Sequence, residues 1–175
     1  LKFGQYNLLT FFKIKETWME IERKFLVKNS SWKNDVLNSE EIVQFYLTGQ
    51  NHSPTLRLRT KGSKGYITLK YPSQSETILM REEYEYEIPI TDILAQMSEA
   101  TGGIIKKTRH NVKGSDGHIW EVDEFKSPIS NLILAEIEYS DKKMEVSLPD
   151  WLGDEVTTDP SYSNLQLSFF EPDDA

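Results

Sequence analysis

Apolar and polar residues alternate with period two along most of this chain. "LRLR" sets Leu56 and Leu58 against Arg57 and Arg59, and "EYEYEI" sets Tyr84, Tyr86 and Ile88 against Glu83, Glu85 and Glu87. Side chains of an extended strand point alternately to opposite sides, so this period predicts strands with one apolar and one charged face. Strands are expected over 20–27, 42–48, 55–60, 65–71, 82–90, 104–112, 117–125 and 132–140. "KGSKG" at 61–65 and "KGSDG" at 113–117 read as hairpin turns between them. Helical patterning is sparse. Residues 91–101 form the clearest case, with Thr91 as N-cap, Asp92 in the first turn and Gly102 as the stop. A second helical stretch is expected within 33–41 and a short C-terminal helix over 160–169.

The chain is 175 residues long and carries neither an internal repeat nor a low-complexity run. We expect one domain over residues 19–170 and a loose acidic tail over 171–175. Residues 1–18 read as an extension of uncertain origin, because Met19 stands directly before the charged motif "EIERKFLV". The apolar run "LLTFF" is too short to span a bilayer and lacks a following cleavage site, so no membrane association is expected.

Charge narrows the picture further. The net charge of −8 lacks the overall basic footprint of a nucleic-acid binder, so no nucleic-acid partner is expected. A local group of arginines can still bind an anion inside an acidic protein. There are no cysteines. That excludes disulfides, thiolate zinc sites and cysteine nucleophiles, and it permits a reducing compartment. A cytoplasmic location is the expectation, with a homodimer left open.

The polar faces are unusual in their signs. Any single amphipathic strand can put its charges in water. Here most strands carry pairs two residues apart that share one sign: Glu20/Glu22, Arg57/Arg59, Glu83/Glu85, Lys107/Arg109, Glu121/Asp123 and Glu136/Glu138. Like charges repel, and a solvated face would more cheaply mix signs along each strand. Strands of one sign make sense around something of the other sign. Acidic strands would hold cations and basic strands a polyanion. A closed barrel of about eight strands can enclose one small ligand. With the charged faces inward, its apolar outer face would need cover from helix 91–101 and the C-terminal segment. The fold expectation is therefore mainly β, a closed eight-stranded antiparallel barrel with a few flanking helices.

The sequence also resembles a known family. "EIERKFLV" is similar to the E-x-E-x-K signature that opens the CYTH superfamily, the triphosphate tunnel metalloenzymes. "QFYL", "TLRLRT", "ITLK", "REEYEYEI", "KKTR", "EVDEF", "AEIEY" and "DPSYSNLQLS" follow in that family's order, over about residues 19–169. The wording of the first motif resembles the short bacterial tripolyphosphatase-like members. The resemblance implies an eight-stranded tunnel that binds triphosphates with Mg²⁺ or Mn²⁺. It implies Glu20, Glu22, Glu136 and Glu138 as metal ligands, with Asp123, Glu83 and Glu85 close by. It implies Lys24, Arg57, Arg59, Lys70, Lys107 and Arg109 as phosphate ligands. Tyr46 matches a proposed proton acceptor, so Tyr46, Glu22 and Lys107 are the expected catalytic residues. Leu165 departs from the pattern, since some short members carry lysine there.

These residue types suit the chemistry. Mg²⁺ prefers hard oxygen ligands shared with substrate phosphates, and arginine forks fit phosphate oxygens. Phosphoryl transfer depends on positioning and charge neutralisation more than on covalent help. Tyr46 could act as a base only if nearby cations lowered its ordinary pKa of about 10. The reading is a metal-dependent hydrolase that cleaves tripolyphosphate to phosphate and pyrophosphate. Thiamine or nucleoside triphosphate hydrolysis, class IV adenylate cyclisation and a non-catalytic polyphosphate-binding module are the alternatives. His52, His110 and His118 show no metal-ligand spacing, and the tryptophans read as packing residues.

Overall fold

Among the described residues nine strands form in chain order: β1 (Met19–Val27), β2 (Val36–Tyr46), β3 (Thr55–Lys61), β4 (Lys64–Lys70), β5 (Leu79–Ile88), β6 (Ile105–Lys113), β7 (Ile119–Ser127), β8 (Ile133–Tyr139) and β9 (Leu152–Glu155). Two short α-helices, α1 (Ile90–Ala95) and α2 (Asn164–Leu167), join them. The computed structural model describes residues 19–73, 79–139 and 145–171. The expected extension at 1–18 and most of the acidic tail lie outside these residues.

All nine strands belong to one antiparallel sheet, in the order β5-β4-β3-β2-β6-β7-β8-β1-β9. β5, at one end of this order, also pairs with β1 through Met19–Glu22 against Leu79–Glu82. The β3–β4 hairpin turns through Gly62 and Ser63. Gly62 takes φ +56, a left-handed conformation in which a side chain would be strained.

Three expectations need correction. The helical stretch within 33–41 is only a 3-10 turn over Ser31–Asp35, and β2 runs from Val36. Asn38–Glu41 are polar residues, but they pair residue for residue with Asn111–Thr108 of β6. That ladder overrides local composition. The helix expected over 91–101 starts at Ile90 after Pro89, not Thr91, and ends at Ala95, with a 3-10 turn over Met97–Glu99. Finally, the described residues form nine strands rather than eight. β9 lies in "WLGDEV", which shows no alternation, and it forms against β1 through Phe25↔Glu155 and Val27↔Leu152. Arg23 fastens it with an ion pair to Glu155 at 2.6 Å.

The apolar positions fill three clusters. Phe25, Trp120, Val122, Ala135 and Ile137 pack with Trp32 and Trp151, which come from connecting segments. Phe45 and Leu58 pack under Ile93 of α1. Tyr46, Ile105, Phe125 and Leu134 pack with Val156 and Leu167 of the C-terminal segment. Leu134 and Phe125 lie two residues from Glu136 and Asp123 and so share the charged face. The C-terminal segment therefore closes one end of the charged face instead of covering the apolar one, whereas α1 covers the apolar face as expected.

Candidate active site

The charged faces meet around one cavity of about 430 Å³. Its walls take Glu22 and Lys24 from β1, Tyr46 from β2, Arg57 and Arg59 from β3, and Lys70 from β4. Arg81, Glu83 and Glu85 come from β5, Arg109 from β6, Glu121 from β7, and Glu136 and Glu138 from β8. Ser163, Asn164 and Leu165 line it from the C-terminal segment. The family departure at Leu165 thus falls on the cavity wall. Glu20 sits in β1, but its side chain lies outside the described residues.

Opposite charges pair along the cavity walls. Lys24 Nζ stands 3.0 Å from both Glu22 and Glu136. On the wall formed by β3, β4 and β5, Arg57 contacts Glu83 and Glu85 at 3.3 Å, Arg59 contacts Glu85 at 2.9 Å, and Lys70 contacts Glu83 at 2.5 Å. Glu83 and Glu85, expected near the metal, thus serve as counter-ions to the basic strands. On the other wall Arg109 reaches Glu136 at 3.0 Å and also contacts Glu121.

Beneath the cavity surface lies a second layer. Asp123 is 0% exposed and Lys107 1%, and neither lines the cavity. Arg109 Nε and Nη2 donate to the two Asp123 oxygens at 2.7 and 2.6 Å, and Lys107 Nζ donates to Asp123 at 2.5 Å. Lys107 also donates to Asn164 Oδ1 at 3.2 Å, tying α2 to the sheet, and its Nζ lies 5.1 Å from the Phe125 ring centre. Asp123 was expected at a metal and Lys107 at the substrate. Their polar atoms are engaged with each other, with Arg109 and with Asn164.

Burial and charge set the protonation states. Burial lowers the Lys24 pKa, but Glu136 and Glu22 outweigh it and hold the ammonium charged. Burial pulls Lys107 down to about 8, with Asp123 opposing and Arg109 assisting. Burial raises Glu136, but Lys24 and Arg109 outweigh it and keep the carboxylate ionised. Glu138 is pushed up to about 7 by burial and by the carboxylates of Glu121, Glu136 and Glu22. Burial also raises the Tyr46 phenol despite the pull of Arg57, Lys24 and Arg81. The condition under which Tyr46 could act as a base is therefore not met in this state, and its phenol is suited to donate a hydrogen bond.

Among the described residues no three carboxylates or histidines converge as they stand on a point that could hold a metal ion. Glu22 and Glu138 nevertheless face each other directly across β1 and β8, as do Lys24 and Glu136. Facing carboxylates repel, and a hard cation relieves that repulsion. The raised Glu138 pKa reports the same shortage of positive charge. These side chains supply oxygen donors of the type Mg²⁺ and Mn²⁺ prefer.

Several cavity residues were not assigned to the site from the sequence, among them Lys61, Arg81 and Glu121. Arg81 precedes Glu83 and Glu85 by the same two-residue step, and that step was the available signal. Glu121 was paired with Asp123 on one face, but nothing in the sequence showed that Glu121 would reach the cavity while Asp123 stayed below it.

The structure is that of an antiparallel β-protein whose sheet surrounds a cavity lined by both signs of charge. The chain belongs to the CYTH domain family, whose model matches residues 19–166. It is 37% identical over 155 residues to an inorganic triphosphatase of Nitrosomonas europaea, covering 87% of this chain and 99% of that protein. It is 38% identical over 154 residues to an inorganic triphosphatase of Acetivibrio thermocellus, covering 85% and 92% respectively. Its fold is similar to a crystal structure described as an inorganic triphosphatase, with TM-score 0.66, 35% identity, and coverage of 87% of this chain and 96% of that one.

Proposed function

We propose that this chain hydrolyses inorganic triphosphate to phosphate and pyrophosphate with Mg²⁺ or Mn²⁺, inside a barrel closed through β1 and β5. The observation that carries the reading is the cavity itself, where basic strands and paired carboxylates face one another. The identity of the two bacterial relatives as inorganic triphosphatases supports the substrate. The β1–β5 pairing supports closure, with β9 as an added strand on β1.

In this reading Arg57, Arg59, Lys70, Arg81 and Arg109 hold the phosphate oxygens, with Lys24 beside them. Glu83 and Glu85 neutralise the arginines and yield them to the stronger polyanion. Asp123 and Lys107 keep Arg109 in place from below. Glu20, Glu22, Glu136 and Glu138 would hold the divalent cation. A cation bound there draws charge from the phosphate oxygens and orients them. Tyr46 donates to a phosphate oxygen. Water adds its oxygen to the terminal phosphorus, the P–O bond to the bridging oxygen breaks, and pyrophosphate leaves with the electron pair and a proton from water. Positioning and charge neutralisation carry such a reaction.

A phosphate-release screen with tripolyphosphate, ATP, thiamine triphosphate and long polyphosphate, each with Mg²⁺, Mn²⁺ or chelator, tests the proposal. Turnover of tripolyphosphate that needs the metal is expected. Binding of these anions without phosphate release from any of them would identify an anion-binding module instead.

A further inference from the structure

Gln44 of β2 is 0% exposed, yet within the described residues neither its Nε2 nor its Oε1 has a hydrogen-bond partner. Buried amides are normally paired, because burying an unpaired polar group costs stability. Leucine or methionine would fill the same volume without that cost.

The surroundings suggest what the amide is for. Gln44 is the direct cross-strand partner of Arg59, and it lies two residues from the cavity-lining Tyr46. Directly opposed residues on neighbouring strands project to the same side of the sheet, so Gln44 and Arg59 share the charged face. Arg59 donates from Nη2 to both Glu85 oxygens at 3.1 and 2.9 Å, while its buried Nε has no partner. A buried acceptor without a donor thus lies across one strand pair from a buried donor without an acceptor. Arg57 Nε on the same strand as Arg59 is likewise unpartnered.

We propose that Gln44 is the positioning residue of Arg59 in the anion-bound state. The inference rests on the triphosphate reading of the cavity. An incoming phosphate draws the Arg59 guanidinium away from Glu85. Gln44 Oε1 then accepts the Arg59 Nε–H, which leaves both Nη groups to grip phosphate oxygens as a fork. The planar guanidinium makes this coupling rigid, since fixing one edge aims the other. The unpaired Gln44 amide is the cost of keeping that acceptor ready.

The test uses Gln44→Met, Arg59→Ala and the double variant. Each is assayed for thermal stability alone, thermal stability with tripolyphosphate and chelator, and steady-state phosphate release with metal. Gln44→Met is expected to melt at or above the wild-type temperature. It should lose more than half of the stabilisation by tripolyphosphate and raise KM roughly tenfold, as for one lost charge-assisted hydrogen bond. In the Arg59→Ala background it should change KM no further, because Gln44 acts through Arg59. A lower melting temperature for Gln44→Met with unchanged tripolyphosphate binding would show a structural amide and overturn the inference, as would additive effects. If wild-type protein is neither stabilised by tripolyphosphate nor active on it, the reading of the cavity fails, and the role of Gln44 fails with it. If wild type responds and Gln44→Met responds equally, only the role of Gln44 fails.

Discussion

Asp123 holds Arg109 by both carboxylate oxygens, with Nε 2.7 Å from Oδ1 and Nη2 2.6 Å from Oδ2. Lys107 Nζ donates to the same Oδ2 at 2.5 Å. An aspartate so engaged fixes the orientation of the Arg109 guanidinium.

Asp123→Asn separates this role from metal binding. Removing one charge from a buried ion-paired group typically costs about 3–5 kcal/mol, so the urea midpoint should fall markedly. In the fraction that remains folded, KM for tripolyphosphate should rise while the Mn²⁺ concentration for half-maximal activity stays unchanged. A large rise in that Mn²⁺ concentration would place Asp123 among the metal ligands after all.

Glu22→Gln and Arg59→Ala address the two signs of charge. Glu22→Gln keeps the shape of the side chain but removes a proposed metal ligand. Its turnover should collapse, tripolyphosphate binding should persist in part, and added Mn²⁺ should recover some activity. Arg59→Ala should weaken binding by about 10–100-fold, the equivalent of roughly 1.5–3 kcal/mol for a charge-assisted hydrogen bond. Both variants can be read from kcat and KM across a metal titration. Wild-type turnover in Glu22→Gln would contradict its assignment to the metal.

Glu138 links the site to pH. Its folded-state pKa is raised to about 7 by burial and then by Glu121, Glu136 and Glu22, whereas an unfolded glutamate titrates near about 4.3. Between these values the folded protein binds more protons than the unfolded chain, so this contribution to stability is lost as pH rises through about 7. Metal-free protein should therefore melt progressively lower from about pH 5 to about pH 7.5, and Glu138→Gln should flatten the slope. Saturating Mg²⁺ should also reduce it, because a bound cation favours the carboxylate. Identical pH–melting curves for the wild-type protein and Glu138→Gln would refute this account.

Ile93 provides a control away from the chemistry. It is fully buried on α1, against Phe45 and Leu58 on the apolar face. Ile93→Ala should cost about 2–5 kcal/mol of stability, measured by urea unfolding, with KM for tripolyphosphate unchanged. A matching loss of substrate affinity would mean that α1 supports the cavity wall.

Period-two alternation made the charged face legible in the sequence, because a strand allows only two directions for its side chains. Glu22, Lys24, Arg57, Arg59, Lys70, Arg109, Glu136 and Glu138 were all assigned to that face, and all of them line the cavity. Same-sign pairing along the strands pointed to something of the opposite sign between them rather than water. Alternation does not report depth, however. Asp123 and Glu121 share a strand and a face, yet Asp123 lies under Arg109 and Glu121 on the wall. The register of β7 against β6, which sets Arg109 opposite Asp123, decided that difference. Nor does alternation report long-range partners. The polar run Asn38–Glu41 became a strand because β6 was there to pair with it, and Leu152–Glu155 because β1 offered a free edge. The sequence thus determined which side each residue takes, a local property of the backbone. Only the tertiary structure decided which charges meet, because that depends on strands brought together from distant parts of the chain.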